Sequence, residues 1–179
     1  MRKPFEPQKK RARLSRKIAK AWLSHQVVNE RRLQDAVFLE KLERVVEWCE
    51  GRGIKVFHSN TEDRGGMWVP DFKEIVIDSR LSPKKQLYTL LHECGHALID
   101  STVSRVADVR YGDAYSIEEM ARTDVDKINI VAVELEAWAR GLQMAERLGI
   151  DVNADEYNRE RVRAIKTYMA WALSSRRKL

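Results

Sequence analysis

His92-Glu93-Cys94-Gly95-His96 is the stretch that most narrows what this chain can become. It lies inside an apolar run, with Leu87-Tyr88-Thr89-Leu90-Leu91 before it and Ala97-Leu98-Ile99 after it. Residues four apart on a helix share a face. Two imidazoles so placed can bind one Zn²⁺, and the glutamate between them can take a proton from water. At roughly 100° per residue, Leu87, Leu90, Leu91, Cys94 and Leu98 fall on one face, with His92 and His96 nearly opposite. A helix with a core on one side and two histidines on the other needs a covering layer, and a cleft between two halves of a domain supplies one. The plain alternative is a pair of histidines held by hydrogen bonds alone. The intervening glutamate and the glycine before His96 favour a metal instead.

Catalytic zinc takes a third protein ligand and keeps a position for water. The chain has four histidines, His25, His58, His92 and His96, and none follows His96. A third histidine downstream is therefore excluded, and a downstream carboxylate is the simplest donor. Glu134 and Glu136 lead, in Val133-Glu134-Leu135-Glu136-Ala137-Trp138. The apolar stripe of that segment reads as Ile128, Val131, Leu135, Trp138 and Leu142. Glu134 sits at its edge, about 70° from the centre, and Glu136 about 130° away. A carboxylate at a core boundary is costly unless paired or metal-bound. Glu134 is thus the expected ligand, and Glu136 is expected to face solvent and pair with Arg140. Asp100, Asp108, Asp113, Glu118 and Glu119 are weaker options, and Asp100, four after His96, could orient a ligand imidazole.

The rest of the chain reads as one α+β domain with a basic extension. Its 179 residues suit a single core, and 44% hydrophobic residues exclude a disordered chain. No stretch reaches the ~20 apolar residues of a membrane helix, and no secretory signal opens the sequence. Two cysteines, Cys49 and Cys94, make no disulfide framework and suggest a reducing, cytoplasmic setting. Residues 1–25 carry nine Lys/Arg against Glu6 alone, and residues 155–179 carry seven against three acids, although the whole chain is only +6. The middle is therefore acidic. We expect a basic N-terminal arm over residues 1–30, attracted to nucleic acid or another acidic surface, and a single domain over 31–179. No aromatic ladder or nucleic-acid motif accompanies the arm.

Helices are expected over 9–24, 31–50 (stripe Leu39, Leu42, Val46, Cys49), from Pro83 to about 101, from Asp124 to near Gly149, and after an Asn153-to-Glu156 capping box. A strand at 54–57 and a hairpin of 67–69 with 73–78 precede the motif helix. Residues 102–122 read as a long loop over the site.

With these residues on the page, the chain resembles the gluzincin-type zinc metallopeptidases, and within them the ImmA/IrrE-type branch of bacteria, phages and mobile elements. The resemblance runs from about Gly66 to Ala139. It rests on Glu74-Ile75-Val76-Ile77-Asp78, Leu81, the helix start at Pro83, Thr89 to Leu98, and Glu134-Leu135-Glu136-Ala137. It implies a zincin-like fold, mainly helical with a small sheet before the motif helix, and a zinc held by His92, His96 and Glu134, the first glutamate of the E-x-E-A segment. Three departures stand out. Trp138 occupies a position that is often acidic in related gluzincins, four after the ligand glutamate. The Phe-Ala and Leu-Met-Pro pattern of the branch is missing, and no helix-turn-helix is fused to the domain. Peptide deformylases also carry H-E-x-x-H with an upstream cysteine ligand. Cys49, however, lies on a helical stripe and lacks the Gly-Cys-Leu context.

The expected function is peptide-bond hydrolysis by a zinc-dependent endopeptidase. Glu93 is the base and then the proton donor to the leaving amine, and Arg110, Tyr111 or Tyr115 is a candidate oxyanion donor. The resemblance implies a regulatory, DNA-bound protein as substrate. The alternative is a latent or non-catalytic zincin-fold protein that docks on nucleic acid or a protein complex through its basic ends.

Overall fold

No glycine or proline interrupts residues 8–50, so nothing in the chain stops a helix once it has started. In the computed structural model, which describes residues 7–60, 65–102 and 123–174, α1 runs unbroken over Pro7–Glu50. The two helices expected over 9–24 and 31–50 are one, about 65 Å long at 1.5 Å per residue. Residues 26–34 within it are all exposed. Docking begins at Phe38 and continues through Leu42, Val45 and Cys49, a stripe turned slightly from the expected one, since Leu39 is exposed. Gly53 ends this segment with a positive φ of 69°, and the amide of Ile54 closes the turn on the Cys49 carbonyl.

Three short strands follow: β1 (Lys55–Ser59), β2 (Gly66–Val69) and β3 (Glu74–Asp78). Their order in the sheet is β1-β3-β2, with β1 parallel to β3 and β2 antiparallel to it. The expected hairpin is β2–β3. The central strand buries Ile75 and Ile77 completely, as its apolar alternation requires. β2 is left as an edge. At the end of β3 the buried Asp78 takes a two-pronged ion pair from Arg80, which satisfies a carboxylate that could not otherwise be enclosed.

Helix α2 (Pro83–Thr102) carries the motif, α3 (Asp124–Arg147) carries Glu134, and α4 (Ala154–Leu173) closes the domain. The described domain is thus mainly helical with a small sheet ahead of the motif helix, the α+β zincin-like architecture expected. Thr123, one residue before the expected start, caps α3 in a full capping box with Asp126. Asn153 caps α4, but Glu156 does not return the bond and instead meets Lys84 and Tyr88 of α2. The core gathers Leu42, Val45 and Cys49 of α1, Ile75 and Ile77 of the sheet, Leu87, Leu90, Leu91 and Cys94 of α2, and Tyr157 of α4. The thiols of Cys49 and Cys94 touch there, 3.4 Å apart and fully buried.

The tightest contact is between α2 and α3, and two glycines make it possible. A Cβ on Gly95 would lie 2.0 Å from the Ala137 carbonyl oxygen, and one on Gly141 would lie 2.3 Å from that of Leu91. Each helix gives a glycine to the other's backbone. The buried face of α3 is accordingly Ile130, Glu134, Ala137, Trp138, Gly141, Met144 and Ala145. This corrects the expected stripe by roughly one residue's rotation, about 100°. Ile128 and Leu135 are exposed, while the small residues Ala137, Gly141 and Ala145 face inward. Large apolar residues dominated the periodicity, but backbone proximity selects small ones.

Gly141→Ala should therefore destabilise the domain by about 1–3 kcal/mol, the cost of overpacking, although alanine is the better helix former by about 1 kcal/mol. The midpoint of urea denaturation measures it. An unchanged or higher midpoint would mean that the helices are not in backbone contact.

Candidate metal centre

The antiparallel register of α2 and α3 positions the site. One seam pairs Leu91 with Gly141 and Gly95 with Ala137. One residue further along α2 and three residues back along α3, His92 meets Trp138 and His96 meets Glu134. The glycine seam thus determines which side chains face each other.

The Nε2 atoms of His92 and His96 lie 3.2 Å apart. Glu134 Oε2 is 3.2 Å from His92 Nε2, and Oε1 is 3.5 Å from His96 Nε2. Glu134 is only 3% exposed, and His96 is also buried. Among the described residues these three form the one group of histidine, cysteine or carboxylate donors that converges closely enough to hold a metal ion. Tetrahedral ligands at ~2.0–2.1 Å from a zinc ion stand roughly 3.3–3.4 Å from one another, which is the spacing here. Among the described residues Glu134 Oε2 meets no hydrogen-bond donor in good geometry, although His92 Nε2 is 3.2 Å away. Two imidazole nitrogens and a carboxylate gathered this tightly, with a buried oxygen lacking a hydrogen bond, are a donor set fitted to a small divalent cation.

Burial works against the charge on Glu134, yet the imidazoles of His92 and His96 hold its carboxyl down at about 2. Burial likewise pulls His96 down. Its hydrogen bond to Glu134 and the charges of Glu93, Glu134 and Asp100 outweigh that and raise the ring above its ordinary 6.5. A site that attracts protons so strongly attracts a cation for the same reason.

Glu93 is 5% exposed. It lies against the first residue of β2, where a Cβ on Gly66 would come within 3.1 Å of its Oε1 and 2.5 Å of Thr89 Cγ2. The glycine at the start of the edge strand therefore leaves the room that the Glu93 carboxylate occupies.

The other candidates are elsewhere. Glu136 is exposed and pairs with Arg140 at 2.7 Å, as expected. Asp100 accepts a hydrogen bond from Trp68 Nε1 of β2 and acts on His96 through its charge. Cys49 packs against Cys94 in the core and is not in the donor cluster, and His58 is exposed on β1. The side chain of His25 and all of Asp108, Arg110, Tyr111, Asp113, Tyr115, Glu118 and Glu119, with the expected loop, lie outside the described residues.

The model of the IrrE N-terminal-like domain, a peptidase family designated M78, matches residues 49–137. Over that stretch the chain resembles this family. No curated protein and no solved structure matches it. The IrrE-like match spans both histidines, Glu93 and Glu134 and stops at Ala137, one residue before Trp138. It supports a metallopeptidase, and the donor cluster within it could hold the metal.

Trp138 is the participant whose role the sequence left open. Its indole stacks on the His92 ring, with centroids 4.4 Å apart and planes 24° from parallel. The available signal was its spacing, four residues after Glu134 and so on the same face of α3.

Metal titration checks the donor set. Glu134→Ala should lose more than ~100-fold in Zn²⁺ affinity, because outer partners of metal ligands alone are worth about 10–100-fold. Glu136→Ala should bind as the parent does. The sign of the pH dependence follows from His96: its proton is held above pH 6.5 and must leave before the ring can ligate. Affinity should therefore fall as the pH is lowered from 8 to 6. Calorimetry at both pH values measures all three, and equal affinities for the parent and Glu134→Ala would remove Glu134 from the site.

Proposed function

We propose that this domain is a zinc-dependent endopeptidase in which His92, His96 and Glu134 hold the metal and Glu93 is the general base. The observation that carries the reading is the convergence of two imidazoles and a buried carboxylate beside a second buried carboxylate. Two histidines and a glutamate are a ligand set used by catalytic zinc in peptidases. Similarity to a peptidase family over residues 49–137 supports the same reaction class.

Bound there, zinc would supply the Lewis acidity that makes water a nucleophile near neutral pH and polarises the scissile carbonyl. The chain's own residues do the rest. Glu93, between the two ligand histidines and enclosed against Gly66, takes the proton of the attacking water on its carboxylate and delivers it to the departing amine. Its enclosure keeps bulk water away from that proton. Edge strand β2, which begins at Gly66 beside Glu93, offers a side that no described strand covers to an extended peptide. The substrate is thus read as an extended segment of a protein, and resemblance to the ImmA/IrrE branch favours a DNA-bound regulator. The free, buried Cys49 and Cys94 agree with a reducing, cytoplasmic setting, and no helix among the described residues is long and apolar enough to cross a membrane.

The basic arm is read as a docking element for nucleic acid. Nine Lys/Arg against one acid in residues 1–25 give it the charge, and the adjoining stretch 26–34 of α1 is exposed.

Two experiments test these readings. Glu93→Gln should keep its zinc and lose about 10²–10⁴-fold in cleavage of a proteome-derived peptide library. Cleavage at the parent's rate would rule out the mechanism. Removing residues 1–25 should abolish salt-sensitive binding to duplex DNA, seen as a flattened slope of log affinity against log salt. An unchanged slope would dismiss the arm as a nucleic-acid contact.

A further inference from the structure

Histidines that bind metals ordinarily donate their second ring N–H to a carboxylate, a carbonyl or water, which fixes the ring's orientation and tautomer. Among the described residues His92 lacks this device: its Nδ1 is buried and has no hydrogen-bond partner there. If Nε2 faces the cation, Nδ1 must carry the proton, and no described residue accepts it. Something other than a hydrogen bond must hold the ring.

The geometry points to Trp138, and we propose that it is the positioning residue for His92. The inference rests on the metal-site reading above. The indole covers the imidazole at 4.4 Å and 24°, and Trp138 is itself buried, with its Nε1 unpartnered. It therefore acts on His92 through its face. Its backbone is held in turn, because the Tyr157 hydroxyl of α4 donates to the Trp138 carbonyl at 3.1 Å. The Tyr157 ring meets the indole edge-on at 5.1 Å, and Tyr88 of the motif helix meets Tyr157 edge-on at 5.4 Å. The aromatic series His92, Trp138, Tyr157, Tyr88 leaves α2 at the metal site and returns to α2 one turn earlier, through α3 and α4. Stacking restrains the tilt and translation of the imidazole plane without an acceptor. Trp138 and Tyr157 both lie outside the matched span 49–137, so this support is supplied by the part of the chain beyond the family's common segment.

The test compares full-length Trp138→Phe, which keeps an aromatic face, with Trp138→Leu, which keeps apolar bulk without one. Zn²⁺ affinity should fall about 3- to 10-fold in the leucine variant, the equivalent of one aromatic pair, and stay within about twofold in the phenylalanine variant. With Co²⁺ in place of zinc, the visible d–d bands should shift in the leucine variant and return in the phenylalanine one, a change that loss of stability alone would not produce. Urea denaturation of both variants separates affinity from folding. If the leucine variant proves unfolded, Trp138→Met serves with the same expectations. Parent-like affinity and an unchanged cobalt spectrum in the folded non-aromatic variant would overturn the role of Trp138 alone. Failure of the parent protein to bind Zn²⁺ or Co²⁺ would overturn the metal reading beneath it, and this proposal with it.

Discussion

The backbone contact between α2 and α3 is the constraint on which the rest depends. Gly95 under the Ala137 carbonyl and Gly141 under the Leu91 carbonyl let the two helices approach closer than any side chain would allow. Once that seam is closed, the antiparallel register leaves no choice about its neighbours. Beside it, one residue on along α2 and three back along α3, stand His92 with Trp138 and His96 with Glu134. A helix pair separated by ordinary side chains would stand ~8–10 Å apart between axes, and short donors would then have to reach across that gap. Here the gap is removed first, and the donors meet at 3.2 to 3.5 Å.

Such proximity has an electrostatic consequence. Enclosing a glutamate with two imidazoles is costly in a low dielectric unless positive charge accompanies it. The carboxyl driven to about 2 and the His96 ring raised above its ordinary range are two expressions of that demand. A divalent cation satisfies it more fully than one shared proton. Glu134 Oε2 and His92 Nδ1, without hydrogen-bond partners among the described residues, mark where that hydrogen bonding stops. The first atom faces the donor cluster, and the ring bearing the second lies against Trp138.

Much of the local structure was legible because it depends on near neighbours in the chain. Ser82-Pro83 opened α2, Gly53 and Gly149 closed helices with positive φ, and the alternation of Ile75 and Ile77 marked the buried strand. The continuity of α1 was missed, although the absence of any breaker between residues 8 and 50 was visible. The orientation of α3 was legible only in part. Its large apolar residues suggested a face through Ile128 and Leu135, and the structure turned that face outward in favour of Ala137, Gly141 and Ala145. The expected face put Glu134 at an edge; the observed one puts it inside. Periodicity counts apolar side chains, whereas close helix packing is decided by their absence.

The sequence by itself determined the chemistry on offer: two imidazoles one turn apart with a glutamate between them, on a helix whose opposite side is apolar. These follow from spacing along a single helix, which any isolated segment obeys. Only the tertiary structure decided what those groups meet. Glu134 reaches the histidines across more than thirty intervening residues, Gly66 makes room for Glu93 from another element, and Trp138 lies flat on His92 under the hold of Tyr157. None of these pairings has a local signature. Each exists because two backbones approach closely enough for the adjoining side chains to have a single partner.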